Sequence, residues 1–361
     1  MSGFGSSMSS ANNDHAVPLP PTCDGISSLN WSPTANHLVA SSWDNAVRYW
    51  DCQVAPPSVS SQPAQWQVLP KSESTAHQKP VLDTCFSPDG RFVFSGGADK
   101  TVRMWDLQSG STDMQQIGVH DAPVRCVGFC QEKQLVVSGG WDKMLKFWDC
   151  RSPTPAGTFQ LEERVYNMDI RGNVLVVALA GKKIVAYSVS PQIQQQVSMD
   201  SPLKYQSRCI SVFPDQSGFA VGSIEGRCAI HYFTQKPGLA ENFAFRCHRQ
   251  DNSTKTESQV HAVNGIAFHP FGTFSTVGGD GVVNFWDKDS KQRLKVFPSV
   301  NECINCAAFN TQGNIFAYAK SYDWGKGASG YRGPQAQPNG ISLHYVPEEE
   351  IKQRQKKGGK R

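Results

Sequence analysis

Four short apolar stretches of this chain close on the same dipeptide: AVRYWD at 46–51, TVRMWD at 101–106, MLKFWD at 144–149 and VVNFWD at 282–287. Weaker endings, IVAYS at 184–188, CAIHYF at 228–233 and ISLHYV at 341–346, fill the remaining intervals. An aromatic marker therefore recurs at 50, 105, 148, 187, 232, 286 and 345. A self-similar unit of this length cannot bury its own apolar face and must stack on copies of itself, which restricts the chain to repeat architectures.

Each unit has the same internal order. An alternating run such as VLDTCFSP (81–88), VRCVGFC (124–130) or VNGIAFHP (263–270) precedes a second run such as FVFSGG (92–97) or LVVSGG (135–140). An Asp-bearing turn, the aromatic-closed run and a variable fourth run such as AQWQVL (64–69) follow. Period-two stretches bounded by Gly, Pro, Asp and Asn read as hairpin strands, and no amphipathic helix of ten residues interrupts them. Marker spacings of 39 to 45 residues match a four-stranded propeller blade, and those of 54 to 59 require insertions. The chain thus reads as all-β, a seven-bladed β-propeller over 15–346, with a flexible segment at 1–14 and a charged tail at 347–361. The seventh unit supplies only three strands, so His15 to Leu19 is expected to complete it and remove two open sheet edges.

Composition narrows the function. Lys and Arg number 35 against 31 Asp and Glu, but removing 348–361 leaves 29 against 28, so a polyanion would have to meet a local patch or the tail. Eleven cysteines are too few for a disulfide scaffold and suit a reducing compartment. No apolar run approaches the roughly 20 residues of a membrane span, so no membrane insertion is expected.

The arrangement resembles the WD-repeat (WD40) β-propeller family over nearly the whole chain. Two units carry its full signature: His77, Ser95, Asp99 and Trp105 are separated by 18, 4 and 6 residues, and His120, Ser138, Asp142 and Trp148 repeat those intervals. The resemblance implies buried networks in which Asp holds His, and His and Ser link toward the indole. Ser, His and Asp recurring once per unit suit such a network and not a single catalytic nucleophile, so no enzyme is expected. In the sixth unit His261 lies only 15 residues before Thr276, which puts its network in doubt, and the fourth and fifth place Tyr187 and Tyr232 at the marker. No metal or cofactor is expected. Cys303 and Cys306 lie three apart on a strand and face opposite ways, and Cys247, His248 and His261 lack a fourth ligand.

Two insertions break the repeat, one after Tyr232 and one between AYAKSYDWGKG and ISLHYV. With FAFRCHR, VHAVNGIAFHP, GTFSTVGGDGVVNFWDKD and the N-terminal DGISSLNWSP and SSWDNAVRYWD, these strings closely resemble the nuclear messenger-RNA export factor family of seven-bladed WD proteins. The resemblance implies a nonenzymatic adaptor that binds the GLEBS segment of a phenylalanine-glycine nucleoporin and contacts single-stranded RNA or messenger ribonucleoprotein. It also implies a place in the nucleus, at the nuclear envelope and nuclear pore complex, with cytoplasmic shuttling. Transport receptors and spindle factors are further implied partners. The related mitotic checkpoint WD-repeat scaffold is the alternative.

Candidate binding residues follow from the insertions. Phe243 and Phe245 alternate with Ala244 and Arg246, so both rings share one face, while Arg227, Arg246, His248 and Arg249 form a basic group able to pair with acids or phosphates. Lys288, Lys291, Arg293 and Lys295 follow Trp286 at a turn expected on the top side of the ring and in the outer strand. Lys320, Tyr322, Trp324, Lys326 and Tyr331 interleave aromatic and basic groups among glycines, suited to stacking bases or gripping a peptide. The run from Lys352 to Arg361 is expected to act as a basic arm.

Overall fold

Apolar runs closed by Gly and Asp, such as Phe92–Gly97 and Leu135–Gly140, form the second strands of four-stranded antiparallel sheets. The computed structural model describes residues 14–57, 63–234, 241–251, 257–331 and 339–354. Among them, seven such sheets follow one another as simple meanders, with one extra two-stranded hairpin. The inner strands run Ile26–Trp31, Val81–Phe86, Val124–Cys130, Val165–Arg171, Ser207–Val212, Val263–Phe268 and Ile304–Phe309. Each touches the inner strands of both neighbours, and the seventh returns to the first, so the chain is a closed seven-bladed β-propeller. The inner strands surround a channel of about 900 Å³ lined by Asn30, Asp83, Asn167, Asp169 and Ser211 among others.

Every inner strand carries a register shift at its second residue, between Val81 and Asp83 in the second blade and between Ile304 and Cys306 in the seventh. A bulge leaves one residue out of the ladder, and its side chain is then free to reach sideways. Ser27 donates to the carbonyl of Val81 in the next blade at 2.6 Å, and Asn264 to that of Ile304 at 2.9 Å. Arg125 reaches back to the carbonyl of Leu82. These residues pin neighbouring blades where no ladder joins them. The apolar core lies between blades, as where Val176, Ala178 and Ile184 pack on Ile210, Val212 and Phe219. Gly96–Gly97 and Gly139–Gly140 end second strands, where a Cβ on Gly139 would sit 2.9 Å from Val165 of the next blade and one on Gly140 would sit 2.5 Å from the His120 ring, whereas in blade six the strand ends at Gly278 and Gly279 begins the turn.

The last blade is completed from the other end of the chain. His15–Ala16 pairs antiparallel with Gly340–Tyr345, and Val17 continues the pairing through Ile341. Asp14 then accepts hydrogen bonds from Tyr318 at 2.6 Å and from His344 at 2.7 Å, and His344 also bonds Glu350 at 3.0 Å. Residues 347–354 are correspondingly part of the folded body, contrary to their assignment to a tail: Glu348–Ile351 forms one helical turn against blade six, with Ile351 buried. The N-terminal segment up to residue 13 and the basic residues Lys356, Lys357, Lys360 and Arg361 lie outside the described residues.

Because strands alternate in direction, outer-to-inner connections and second-to-third turns share one face, called top here. First-to-second and third-to-fourth turns share the other.

Candidate partner-binding surfaces

The Ser, His and Asp side chains that invite an enzymatic reading are sealed inside blades. His77 Nδ1 lies 2.9 Å from Asp99 and its Nε2 2.7 Å from Ser95 Oγ, and His120 repeats the pattern with Asp142 and Ser138 at 2.9 and 2.7 Å. With the carboxylate ionised, Nδ1–H donates to Asp and the hydroxyl donates to Nε2, which satisfies every group. Burial opposes ionisation of Asp99 and Asp142, but the hydrogen bonds from histidine outweigh it and hold both carboxyls below the ordinary range. Ser95 and Ser138 are fully buried, so no substrate reaches their oxygens.

The structure alters the expected networks at two points. Trp148 donates to Ser138 Oγ at 2.7 Å as expected, but Trp105 donates to the carbonyl of Ser111 at 2.8 Å, because the turn into the outer strand passes beneath its indole. In blade six the histidine is His248 and not His261: it binds Asp280 at 2.8 Å and Thr276 at 2.9 Å, and Trp286 donates to the same Thr276 at 2.9 Å. His248 is therefore buried and removed from the proposed basic surface. The cause is the insertion. The hairpin Arg249–Asp251 with Ser258–Val260 loops out between His248 and the inner strand, and the amide of His261 bonds the carbonyl of His248 across its base.

The remaining basic residues of that group do converge. Arg227 and Arg246 are directly paired across the third and outer strands of blade five, and Arg249 lies over the Glu225–Gly226 turn between them. Glu225 lies 3.6 Å from Arg227 beside this cluster. Like charges set opposite one another cost stability, and an anionic group placed among them would relieve that cost.

Phe243 and Phe245 share a face as their alternation predicts, 6.1 Å apart, and Phe245 packs 4.6 Å from Trp286. With Phe274, Lys291 and Gln292 they line a cavity of about 360 Å³ between blades five and six. Lys291 Nζ stands 5.0 Å over Phe243 and Arg293 lies over Trp286 at 5.9 Å. Lys288, Lys291 and their turn belong to the bottom face and not the top, since they join third and fourth strands. Lys288 is also not an exposed contact. It is 7% exposed, with its ammonium 2.9 Å from Asp289 and above the rings of Phe213 and Tyr232. Burial alone would lower its pKa, but the Asp289 hydrogen bond and the nearby Tyr232 and Asp215 raise it, so it bridges blades as a cation.

On the top face Tyr322, Trp324 and Tyr331 form one aromatic cluster, Trp324 stacked 5.4 Å from Tyr331. Lys326 is held beside it through its amide to Tyr322 Oη, while Lys320 lies along Gly340. Trp324 takes a left-handed backbone, φ 56°, which orders this segment at a cost of about 1 kcal/mol. Ring closure adds a residue not foreseen from the sequence: Trp43, 6.5 Å from Trp324. Of nine tryptophans, the three that are more than 40% exposed are Trp43, Trp141 and Trp324, and all three stand on this face. Ile224 and Tyr205 are exposed on the same side. The available signal was a tryptophan at the first position of a hairpin turn, in SSWDN and GGWDK, outside the strand alternation. Beside the cluster lies a cavity of about 840 Å³ lined by Arg208, His261, Cys303, Asp323 and Tyr322. His261 Nε2 and the side-chain oxygens of Asn264 and Asn305, close by, have no hydrogen-bond partner among the described residues.

A closed ring of WD blades with an apolar, aromatic face defines a WD-repeat propeller. The WD domain, G-beta repeat family matches residues 18–51, 70–106, 112–149 and 253–287. Among curated proteins, the chain is 45% identical over 351 residues to Protein RAE1 of Arabidopsis thaliana, covering 97% of this chain and 95% of that protein. It is 44% identical to the Poly(A)+ RNA export protein of Schizosaccharomyces pombe, covering 96% and 94%, and 44% identical to the mRNA export factor of Xenopus tropicalis, covering 98% and 95%. The chain belongs to the messenger-RNA export factor family of WD-repeat propellers.

Proposed function

We propose that this protein is a nonenzymatic adaptor in nuclear messenger-RNA export, binding a GLEBS segment of an FG nucleoporin on its top face and single-stranded RNA or messenger ribonucleoprotein at its basic blade-five and blade-six edge. The single observation that carries the peptide site is the gathering of Trp43, Trp141 and Trp324 on one face, while Trp50, Trp105 and Trp148 are buried. Exposed indoles grouped on one side of a rigid scaffold are the anchors from which peptide interfaces draw most of their energy. The unpartnered His261, Asn264 and Asn305 atoms offer polar partners to a peptide backbone laid across blades six and seven. For RNA, the Arg227, Arg246 and Arg249 cluster and Lys291 supply phosphate contacts, and among the described residues no element suited to base-specific readout accompanies them.

The export assignment draws on the names of the relatives, two of which are export proteins. Those names favour it over a checkpoint scaffold. It places the protein in the nucleus and at the nuclear pore, shuttling to the cytoplasm, with transport receptors and spindle factors as further partners. The test is depletion followed by complementation. Nuclear retention of poly(A)+ RNA, relieved by the wild-type chain and not by a Trp43→Ala, Trp141→Ala, Trp324→Ala chain, supports the assignment, and normal export after depletion refutes it.

A further inference from the structure

Six hydroxyls of this chain stand directly before a proline: Ser32, Ser87, Ser152, Thr154, Ser190 and Ser201. The fold makes them unequal. Ser32 and Ser87 are buried, and Ser87 donates to Asp89. Ser201 opens the connection into blade five, where its oxygen accepts from the Leu203 amide at 3.3 Å and from the buried Ser207 hydroxyl at 3.1 Å. Ser190 is half-buried, with its amide donating to Asn173 at 2.6 Å and its carbonyl accepting from Ser188 at 3.1 Å.

The loop 149–154 is different. It joins the third strand of blade three, Met144–Trp148, to its outer strand, Pro155–Gln160, on the bottom face. The Asp149 carbonyl accepts from the Ser152 amide at 2.9 Å, and the half-buried Ser152 accepts the Thr154 amide at 3.3 Å. Thr154 stands beyond them, exposed between two exposed prolines, and its hydroxyl meets only that of Ser152, at 3.2 Å, among the described residues. A following proline disfavours helical backbone, which suits Thr154 to a groove that binds extended chain. Arg151 projects beside it. Its side chain is 89% exposed and folds back on Asp149 through hydrogen bonds of 2.8 and 2.6 Å, a surface pair of the kind that contributes little to stability.

We infer that Thr154 is a phosphorylation site for a proline-directed protein kinase, and that the phosphate draws Arg151 from Asp149 into a phosphothreonine–arginine pair on the bottom face. A kinase groove with no acceptor for the amide after the hydroxyl selects proline there, because proline lacks that amide. In the step, the Thr154 oxygen bonds the γ-phosphorus of ATP, the bond from that phosphorus to the β,γ-bridging oxygen breaks and ADP leaves, while the hydroxyl proton passes to the kinase's catalytic carboxylate. The product brings a charge of about −1.5 to −2 and three acceptor oxygens, more than the Asp149 carboxylate offers a guanidinium. The loop lies on the face opposite Trp43, Trp141 and Trp324, so the modification creates a second docking feature and leaves the proposed peptide face open.

The experiment treats the full chain with a purified mitogen-activated protein kinase and ATP, and maps phosphate over time by mass spectrometry. Free peptides of residues 147–161 and 194–208 give the intrinsic rate of each sequence. Thr154 is expected to react in the folded chain about as fast as in its peptide, whereas Ser201, which must await local opening, is expected to lag its own peptide by at least about tenfold. Thr154→Ala is expected to remove the early incorporation and leave the melting temperature within about a degree. Pairing is read from the phosphate's second ionisation by phosphorus-31 NMR, which Arg151→Ala is expected to shift toward higher pH. Modification of the peptide but not of Thr154 in the folded chain overturns the site, as does modification of neither or earlier modification of Ser152 or Ser201. A phosphate on Thr154 that titrates identically in the Arg151→Ala chain overturns the pairing with arginine.

Discussion

His248 Nδ1 lies 2.8 Å from Asp280 Oδ1, although 32 residues separate them where the second and third blades use 22. The insertion is thus accommodated without loss of the blade's internal network. Replacing His248 by Ala leaves a buried carboxylate and the Thr276 hydroxyl without their partner. A loss of about 2 to 4 kcal/mol in denaturant unfolding is expected, against under about 1 kcal/mol for His261→Ala.

Ser138 and Ser95 occupy equivalent positions with unequal duties. Ser138 accepts from Trp148 and pairs with His120, whereas Trp105 bypasses Ser95. Ser138→Ala therefore orphans two groups and Ser95→Ala one. The first substitution is expected to cost about 1 to 3 kcal/mol more than the second, read from paired unfolding curves.

The clasp of Asp14, His344 and Glu350 makes stability depend on pH. Burial alone would lower the His344 pKa, but the Asp14 and Glu350 hydrogen bonds and charges win and raise it to about 9. A raised histidine contributes fully below its unfolded value of about 6.5 and loses that contribution as pH climbs through 9. Stability is expected to fall by of order 2 to 3 kcal/mol between pH 6.5 and 10, and His344→Gln to flatten that limb. Glu350 acts oppositely: its pKa is lowered, so its share is lost as pH drops below the ordinary glutamate value.

Lys288 and Lys291 separate structure from binding. Lys288→Glu puts a carboxylate beside Asp289 under the Phe213 and Tyr232 rings and is expected to lower the melting temperature by several degrees. Lys291→Glu, on an exposed turn, is expected to weaken oligouridylate binding and leave the melting temperature within about a degree.

The exposed tryptophans divide in the same way. Trp43→Ala and Trp324→Ala are each expected to cost about 2 kcal/mol of GLEBS-peptide affinity in calorimetry without destabilising the fold, while Trp50→Ala, at a buried site, is expected to destabilise it by about 3 to 5 kcal/mol.

Much of this was legible in the chain itself, and the reason is locality. A blade is about 40 consecutive residues, so its strands and the intervals from His77 to Trp105 and from His120 to Trp148 are written along the backbone, and seven markers count seven blades. Spacing also explains the failure at His261: an insertion changes distance along the chain without changing distance in space. Lys288 read as an exposed binding residue because charge predicts exposure, and only the rings of a neighbouring blade show it covered.

Tertiary structure alone decided what each face carries. Trp43 and Trp324 are 281 positions apart in the chain and 6.5 Å apart in the molecule because the ring closes between them. The same closure brings Asp14 to His344, and it sends the C-terminal segment back to blade six. Periodicity determines how many blades form and what stabilises each one. Which side chains meet across the closed ring depends on long-range packing, and no local pattern in the sequence records it.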